Sequence, residues 1–305
     1  MERAVRGRDP GLSPAPAADV PRPSRRKAFV PYLLSLPGGF WLALFFVVPM
    51  ATMFSISLQE GSLEAGFRFT GHWQSYTEAL GKYDTQLYRS LIYGTIVTVA
   101  TLVISYPMAY WIAFRGGRNK NLFLLLILLP FFTPFIIRTL MWRTILADQG
   151  IFLGALKDWG IVADTYQVLA TPTAVVCGMI YNFLPFMALP LYVALERMDP
   201  GLLDAASDLY SNKLQSFLRV TLPLSLPGVF AGSLLTFIPS VGDFINPDLL
   251  GGVNTTLIGN VIQREFQTTF DFPEGAALSF ILMAGILVGV ALYARALGTE
   301  DLSGS

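Results

Sequence analysis

Two carboxylates stand close to one end of a long apolar run in the second half of the chain. Asp243 directly follows the apolar run 220–242, and Asp248 comes five residues later, just after Pro247. An ionisable side chain at membrane depth is costly, so by default it indicates a pathway or a gate. Two carboxylates near the mouth of a pore would attract an organic cation and pass it on. We therefore predict Asp243 and Asp248 as candidate residues of a translocation path.

A structural role is the alternative for Asp243. Its carboxylate would cap a helix, or it would pair with Arg138 or Arg143, which lie near the same membrane face in the topology predicted below. The sequence leaves both interpretations open.

The sequence lacks the common catalytic and cofactor motifs. It has no phosphate-binding loop, no dinucleotide fingerprint, no His-Glu-x-x-His helix and no nucleophile elbow. The lone cysteine, Cys177, excludes an intrachain disulfide and a cysteine-based metal cluster, and His72 has no ligand partner in helical register. We predict no cofactor, no metal site and no enzymatic activity in this chain by itself, so any chemical energy must come from a separate subunit.

The composition indicates a membrane protein. The chain is 53% hydrophobic and only 14% charged, whereas soluble domains average about 25% charged residues. It lacks the polar side chains to cover a water-soluble surface, so its apolar side chains must face a lipid bilayer. The formal net charge of zero gives no electrostatic footprint for nucleic acid.

Long apolar runs predict where the chain crosses the bilayer, because a helix needs about 20 mostly apolar residues to span the hydrocarbon core. One of these runs, 121–137, is short, and residues 139–146 extend it if Arg138 and Arg143 face protein or the interface. Prolines inside such runs are tolerated where neighbouring helices or a water-lined cavity satisfy the freed backbone groups, which favours a transporter over a simple anchor. We predict an all-α polytopic protein with six transmembrane helices, in the runs 28–59, 90–114, 121–137, 165–195, 220–242 and 275–294.

The distribution of Lys and Arg predicts the orientation, because cytoplasmic loops carry an excess of them. With both termini in the cytoplasm, 14 basic residues lie on the cytoplasmic side and 7 on the opposite side. Residues 1–27 read as a disordered basic cytoplasmic tail, 28–298 as the transmembrane domain, and 299–305 as a second cytoplasmic tail.

The inner loop between predicted spans four and five, residues 199–223, is the most informative segment. Asp199 is a candidate N-cap with Pro200 at the first helical position. Apolar residues then recur at helical spacing, namely Leu202, Ala205, Ala206 and Leu209. A short amphipathic helix between two spans predicts a docking site for another protein; the alternative is a helix that lies on the membrane surface.

This loop resembles the EAA loop of ABC importer permeases. The family pattern is Glu-Ala-Ala, three residues, Gly, nine residues, then Ile-x-Leu-Pro. Here Asp204-Ala205-Ala206 is followed, at the same spacings, by Tyr210 and by Val-Thr-Leu-Pro at 220–223. Asp204 keeps the charge of the family Glu, whereas Tyr210 puts a bulky ring where the family has its Gly.

The resemblance implies a type I ABC importer permease fold in which residues 199–222 form a coupling loop. In the family, the coupling helix sits in a cleft of the ATP-hydrolysing subunit and transmits its closure to the gate. The residues implied in this coupling are Asp204, Ala205, Ala206, Asp208, Leu209, Tyr210, Leu222 and Pro223.

A second resemblance surrounds the predicted fifth span. The stretches 239–252, 257–262 and 271–277 are similar to spermidine/putrescine permeases. This implies a polyamine or a related small cationic solute, whose ammonium groups would suit Asp243 and Asp248. The wider group also moves iron and other small solutes, so iron or an anion remains an alternative.

The resemblance also implies the assembly. A dimer of ATP-binding subunits, a second permease subunit (a heterodimer is favoured) and an extracytoplasmic solute-binding protein would complete an importer in the bacterial inner membrane. An ion-driven secondary transporter would instead show inverted repeats, and no convincing repeat is found. A membrane enzyme would need clustered catalytic polar residues at one face, and the sequence has none.

Overall fold

A computed structural model describes residues 35–62, 64–199, 201–202 and 212–296 of the 305-residue chain. The predicted tails 1–27 and 299–305 lie outside these residues, and so do residues 200 and 203–211 of the predicted coupling loop. The chain separates into two units, one ending at Thr52 and the other beginning at Met53. In the first unit, the described residues form a helix with a π-helical turn at Ala43–Val47.

Five helices in the described part of the chain are long and apolar enough to cross a membrane, and one bent pair of helices makes a sixth span if counted as one. The predicted polytopic helical architecture is therefore confirmed, and the six-span count holds with the bent pair included. The spans are numbered in chain order: span 1, Ser35–Ser57; span 2, Gln74–Arg115; span 3, Gly117–Phe132 with Phe135–Asp158; span 4, Pro172–Glu196; span 5, Leu214–Val241; span 6, Phe272–Arg295.

Span 3 is broken where the sequence places Thr133 before Pro134. Thr133 is extended, with a ψ angle of 135°, because a residue that precedes proline is disfavoured in the helical region. Pro134, the N-cap of the next helix, is also extended, with a ψ angle of 141°. The two parts are bent by 92°. The first part comprises the turn Gly117–Asn119, the helix Lys120–Leu128 and the turn Leu129–Phe132. The second comprises the helix Phe135–Leu146, called half-span 3b below, and the helix Ile151–Asp158.

A small hairpin precedes span 2, an addition to the all-α prediction. Strands Gln59–Ser62 and Gly66–Phe69 pair antiparallel, with Gln59 opposite Phe69. Gly66 has a φ of +77°, a left-handed conformation that glycine adopts without steric cost.

The segment between spans 5 and 6 is mostly helical. It contains the six-residue helix Ile245–Leu250, the turn Val253–Thr255, the helix Ile258–Arg264 and the π-helical turn Glu265–Thr269. On the other side of span 5, helix Lys213–Ser216 and the π-helical turn Phe217–Thr221 lead into helix Leu222–Val241.

Polar contacts define the two ends of the bundle. At the end that carries the predicted coupling loop, the inner end, Lys120 Nζ lies 3.0 and 2.9 Å from the two carboxylate oxygens of Glu196. At the opposite, outer end, Lys82 Nζ lies 2.8 and 2.9 Å from the carboxylate oxygens of Glu274. These pairs join the start of span 3 to span 4, and span 2 to span 6.

Spans 2, 4 and 5 form the core, and glycines let them approach closely. A Cβ atom at Gly232 would lie 2.8 Å from Met187 Sδ, and one at Gly228 would lie 2.5 Å from Ala194 Cβ. Small residues at four-residue spacing let helix backbones come together in this way, which is a common basis of packing in membranes.

Candidate functional site

Asp243 lies between span 5 and the helix Ile245–Leu250, and the residue is only 7% exposed. Its Oδ1 accepts hydrogen bonds from the backbone N–H groups of Ile245 (2.9 Å) and Asn246 (3.3 Å). Its Oδ2 accepts a hydrogen bond from the side-chain amide of Asn246. Burial raises the pKa of the Asp243 carboxyl, and the hydrogen bonds from Asn246 and Ile245 oppose that rise. The helix-capping interpretation of Asp243 therefore matches its geometry.

A buried polar network extends from this carboxylate into the bundle. Asn246 Oδ1 accepts from Asn182 Nδ2 at 3.0 Å, and Asn182 Nδ2 also lies 3.0 Å from Thr139 Oγ1. Asn182 belongs to span 4 and Thr139 to half-span 3b, and both are fully buried. The network thus fastens the helix Ile245–Leu250 to two spans. The sequence analysis did not single out Asn182 or Asn246, because a single asparagine carries no spacing pattern that would indicate its partner.

Arg138 is the buried cation of half-span 3b, at 7% exposure. Its guanidinium carbon lies 5.2 Å from the ring centre of Phe131 and 5.6 Å from that of Phe135. Its Nε and Nη1 atoms are buried and have no hydrogen-bond partner among the described residues. Within that part of the chain no ion pair joins Asp243 to Arg138 or to Arg143, and Arg143 is exposed. The alternative in which Asp243 pairs with an arginine is thus absent from this structure.

Asp248 has a different environment from Asp243. It is exposed and lines a cavity of about 420 Å³, called the outer pocket, at the outer end of the bundle. The wall of the pocket is mostly polar and includes Asn260, Gln263, Arg264, Gln267 and Thr268. The two predicted carboxylates are therefore close in sequence but are not brought to one site: Asp243 faces the buried network and Asp248 the outer pocket.

The predicted coupling residues fall largely outside the described residues. This holds for Asp204, Ala205, Ala206, Asp208, Leu209 and Tyr210. Of the flanking residues, Leu222 is half-buried and Pro223 is exposed at the start of the long helix of span 5. Asp199 Oδ1 accepts from the N–H of Gly201 at 2.9 Å, as a helix N-cap would.

A large apolar groove runs between spans 4 and 5. Its volume is about 870 Å³, and Arg197, Asp199 and Leu202 line it at the inner end, where the predicted coupling loop begins. Prolines of both spans, Pro185, Pro190 and Pro227, also line it. The groove therefore links the base of the coupling loop to the middle of the bundle.

The comparisons with known proteins agree with this architecture. Residues 105–297 match the family described as "Binding-protein-dependent transport system inner membrane component". The chain belongs to this family. The spermidine/putrescine transport system permease protein PotB of Haemophilus influenzae is 38% identical over 84% of this chain and 90% of its own length. PotB of Escherichia coli is 36% identical over 84% of this chain and 94% of its own length.

A solved structure gives the same fold. A chain in the crystal structure of a bacterial alginate ABC transporter in complex with alginate pentasaccharide-bound periplasmic protein superposes with a TM-score of 0.66. The sequences are 19% identical, and the alignment covers 92% of this chain and 97% of that one. The predicted ABC importer permease fold is confirmed.

Membership of the family decides the general role of the chain. It is a multi-pass inner membrane protein, and it is the membrane component of a transport system that depends on a binding protein. Members of the family are transport components and not catalytic subunits, in keeping with the lack of a phosphate-binding loop in the sequence.

Proposed function

We propose that the chain is one permease subunit of an ATP-driven importer that carries polyamines, such as spermidine or putrescine, across the bacterial inner membrane. The observation that supports this substrate class is the 38% identity, over 84% of the chain, to a spermidine/putrescine permease. The exposed carboxylate of Asp248, in a mostly polar pocket at the outer end, is chemically compatible with a cationic solute.

In the proposed assembly, this chain pairs with a second, different permease subunit and with two ATP-binding subunits. ATP binding draws the ATP-binding subunits together, and residues 199–222 transmit this movement to spans 4 and 5. The spans then open toward a loaded extracytoplasmic binding protein. Arg197 and Asp199 stand where the coupling loop meets the groove between these spans, which gives the movement a direct route into the bundle.

Both termini lie in the cytoplasm in this proposal. The excess of Lys and Arg in the loops that would face the cytoplasm, 14 against 7, supports that orientation. The hairpin before span 2, the segment between spans 3 and 4 and the outer pocket would then lie on the extracytoplasmic side of the membrane.

Uptake by the reconstituted importer tests the substrate class. The chain, with its partner subunits and binding protein, is placed in proteoliposomes that contain ATP, and uptake of radiolabelled spermidine, putrescine, ferric iron and a small carboxylate is compared. We expect spermidine or putrescine uptake that needs both ATP and the binding protein. Uptake of iron or of the anion, with none of either polyamine, would overturn the proposal.

A further inference from the structure

The outer pocket combines one carboxylate with several neutral oxygen-bearing side chains. Among the described residues that line it, Asp248 supplies the one carboxylate, and Gln263, Gln267 and Thr268 supply amide and hydroxyl groups. Gln263 donates to Gln267 at 3.2 Å, which holds these two side chains together along one side of the pocket. Carboxylate, amide and hydroxyl oxygens all accept hydrogen bonds from an N–H donor.

The helices that meet at the pocket add to its preference for a cation. Gly251 and Gly252 follow the C-terminal end of the helix Ile245–Leu250, and Gln267 and Thr268 lie in the last turn of the helical segment that ends at Thr269. The C-terminal end of a helix carries a partial negative charge and favours cations near it. Two such ends therefore reinforce the charge of Asp248.

One positive side chain also lines the pocket. The guanidinium of Arg264 lies 3.4 Å from the carboxylate of Glu265, which is buried and also accepts a hydrogen bond from Tyr83 at 3.0 Å. Glu265 thus offsets part of the charge of Arg264, while the exposed carboxylate of Asp248 stays available to a ligand.

The donor set suits an organic ammonium better than a metal ion. No group of three or more His, Cys, Asp or Glu side chains that could hold a metal ion occurs within the described residues. Hard cations such as Ca²⁺ need six to eight oxygen ligands, and several of these are normally carboxylates. A volume of about 420 Å³ is also ample for an aminoalkyl arm.

We propose that the outer pocket receives one primary ammonium group of a linear polyamine, with the Asp248 carboxylate as its counter-ion. This inference rests on the proposed function and adds to it a specific site of first contact. Asp243 is not part of this site; it is a positioning residue that holds the start of the helix on which Asp248 stands.

The test uses the complete importer in proteoliposomes, with saturating spermidine-loaded binding protein. Asp248→Asn is expected to lower the initial rate of spermidine uptake about tenfold, as expected for loss of a charge-assisted hydrogen bond. Asp248→Glu restores most of the rate. Arg264→Gln raises the rate because it removes the opposing charge. Asp164→Asn is the matched control: Asp164 is an exposed aspartate between spans 3 and 4 that does not line the pocket, and its substitution leaves the rate unchanged.

The outcomes separate this inference from the proposed function. If the wild-type importer takes up neither spermidine nor putrescine, the proposed function itself fails. If it takes up one of them, but Asp248→Asn behaves like Asp164→Asn, the pocket inference alone is wrong. The last measurement is the concentration of loaded binding protein that gives half-maximal stimulation of ATP hydrolysis. A higher half-maximal concentration for Asp248→Asn would mean that the pocket docks the binding protein and would overturn the ammonium site, whereas an unchanged value supports it.

Discussion

At the scale of single residues, two aspartates with the same chemistry have opposite surroundings. Asp243 is 7% exposed and is bound by the first N–H groups of a helix and by the amide of Asn246, whereas Asp248 is exposed to the outer pocket. Asp243 precedes the helix Ile245–Leu250 and binds its first N–H groups, whereas Asp248 lies in the first turn of that helix and lines the pocket. A shared residue type and a short spacing are therefore not sufficient to assign a shared role.

Replacement of Asp243 by alanine tests its positioning role. The Asp243→Ala change leaves the buried side-chain amide of Asn246 and two backbone N–H groups without their acceptor, so we expect a loss of about 1–3 kcal/mol of stability. Asp243→Asn keeps an acceptor for the backbone N–H groups but opposes the Asn246 amide, so its effect is smaller. The thermal midpoint of the purified complex in detergent measures the loss of stability in each of the two variants. Equal midpoints for Asp243→Ala and for the exposed Asp164→Ala would contradict the role.

At the scale of elements, the contact between spans 4 and 5 depends on Gly232. A side chain at this position meets both the sulfur atom and the backbone oxygen of Met187, at 2.8 and 3.0 Å from the Cβ atom. Gly285, in span 6, has no atom within 4 Å of the same point. The two glycines therefore form a matched pair, one in a tight contact and one in open space.

Valine at each glycine tests this contact. Gly232→Val is expected to cost about 1–3 kcal/mol through overpacking, with less monodisperse protein after detergent extraction and a lower thermal midpoint. Gly285→Val should change neither by a comparable amount. Similar losses in the two variants would show that valine is harmful for a reason other than the contact with Met187.

The elements also show how far the sequence predicts the structure. The apolar runs predict the spans because lipid exposure demands continuous apolar side chains, a local property of the sequence. Span 2 begins at Gln74, well before the run at 90, because the helix continues through Lys82 and Arg89 beyond its apolar part. Span 4 begins at Pro172, with Thr171 as N-cap, and this Thr-Pro signal was readable within the run 165–195.

The candidate site was less predictable, since its polar contacts join distant parts of the chain. Asn182 and Asn246 are 64 residues apart in sequence and 3.0 Å apart in space. The spacing of residues along the chain does not predict a contact between two residues so far apart in sequence. The burial of Arg138 has the same origin, because it depends on the bend at Thr133 and Pro134 and on the two phenylalanine rings near its guanidinium.

At the scale of the whole molecule, the predicted orientation can be tested by labelling with a membrane-impermeant maleimide. Cys177 is exposed and is first replaced by serine. Single cysteines then replace Asp164, between spans 3 and 4, and Asn119, in the turn at the start of span 3; both native side chains are exposed. We expect Asp164→Cys to react in intact spheroplasts and Asn119→Cys to react only after permeabilisation. The reverse pattern would invert the topology and remove the proposed coupling loop from the cytoplasm.

Coupling to the ATP-binding subunit is the second prediction at this scale. In the same Cys177→Ser background, a cysteine at Ala206 is expected to form a crosslink with the ATP-binding subunit through a short bifunctional reagent, because the resemblance to the EAA loop implies contact there. Asp164→Cys serves as the control on the opposite face and should give no such product. A crosslink from neither position, in an importer that hydrolyses ATP, would refute the coupling role of residues 199–222.

The helix Ile245–Leu250 is held on more than one side. Asn246 is joined to Asn182 of span 4 and to the hydroxyl of Thr139, and the carbonyl of Leu250 accepts from the N–H of Ala170, just before span 4. These bonds tie the helix that carries Asp248 to the outer half of span 4. A tilt of span 4 driven from the coupling loop would therefore move Asp248 relative to the rest of the outer pocket. The movement that opens the bundle would then also weaken the binding of a cation in that pocket.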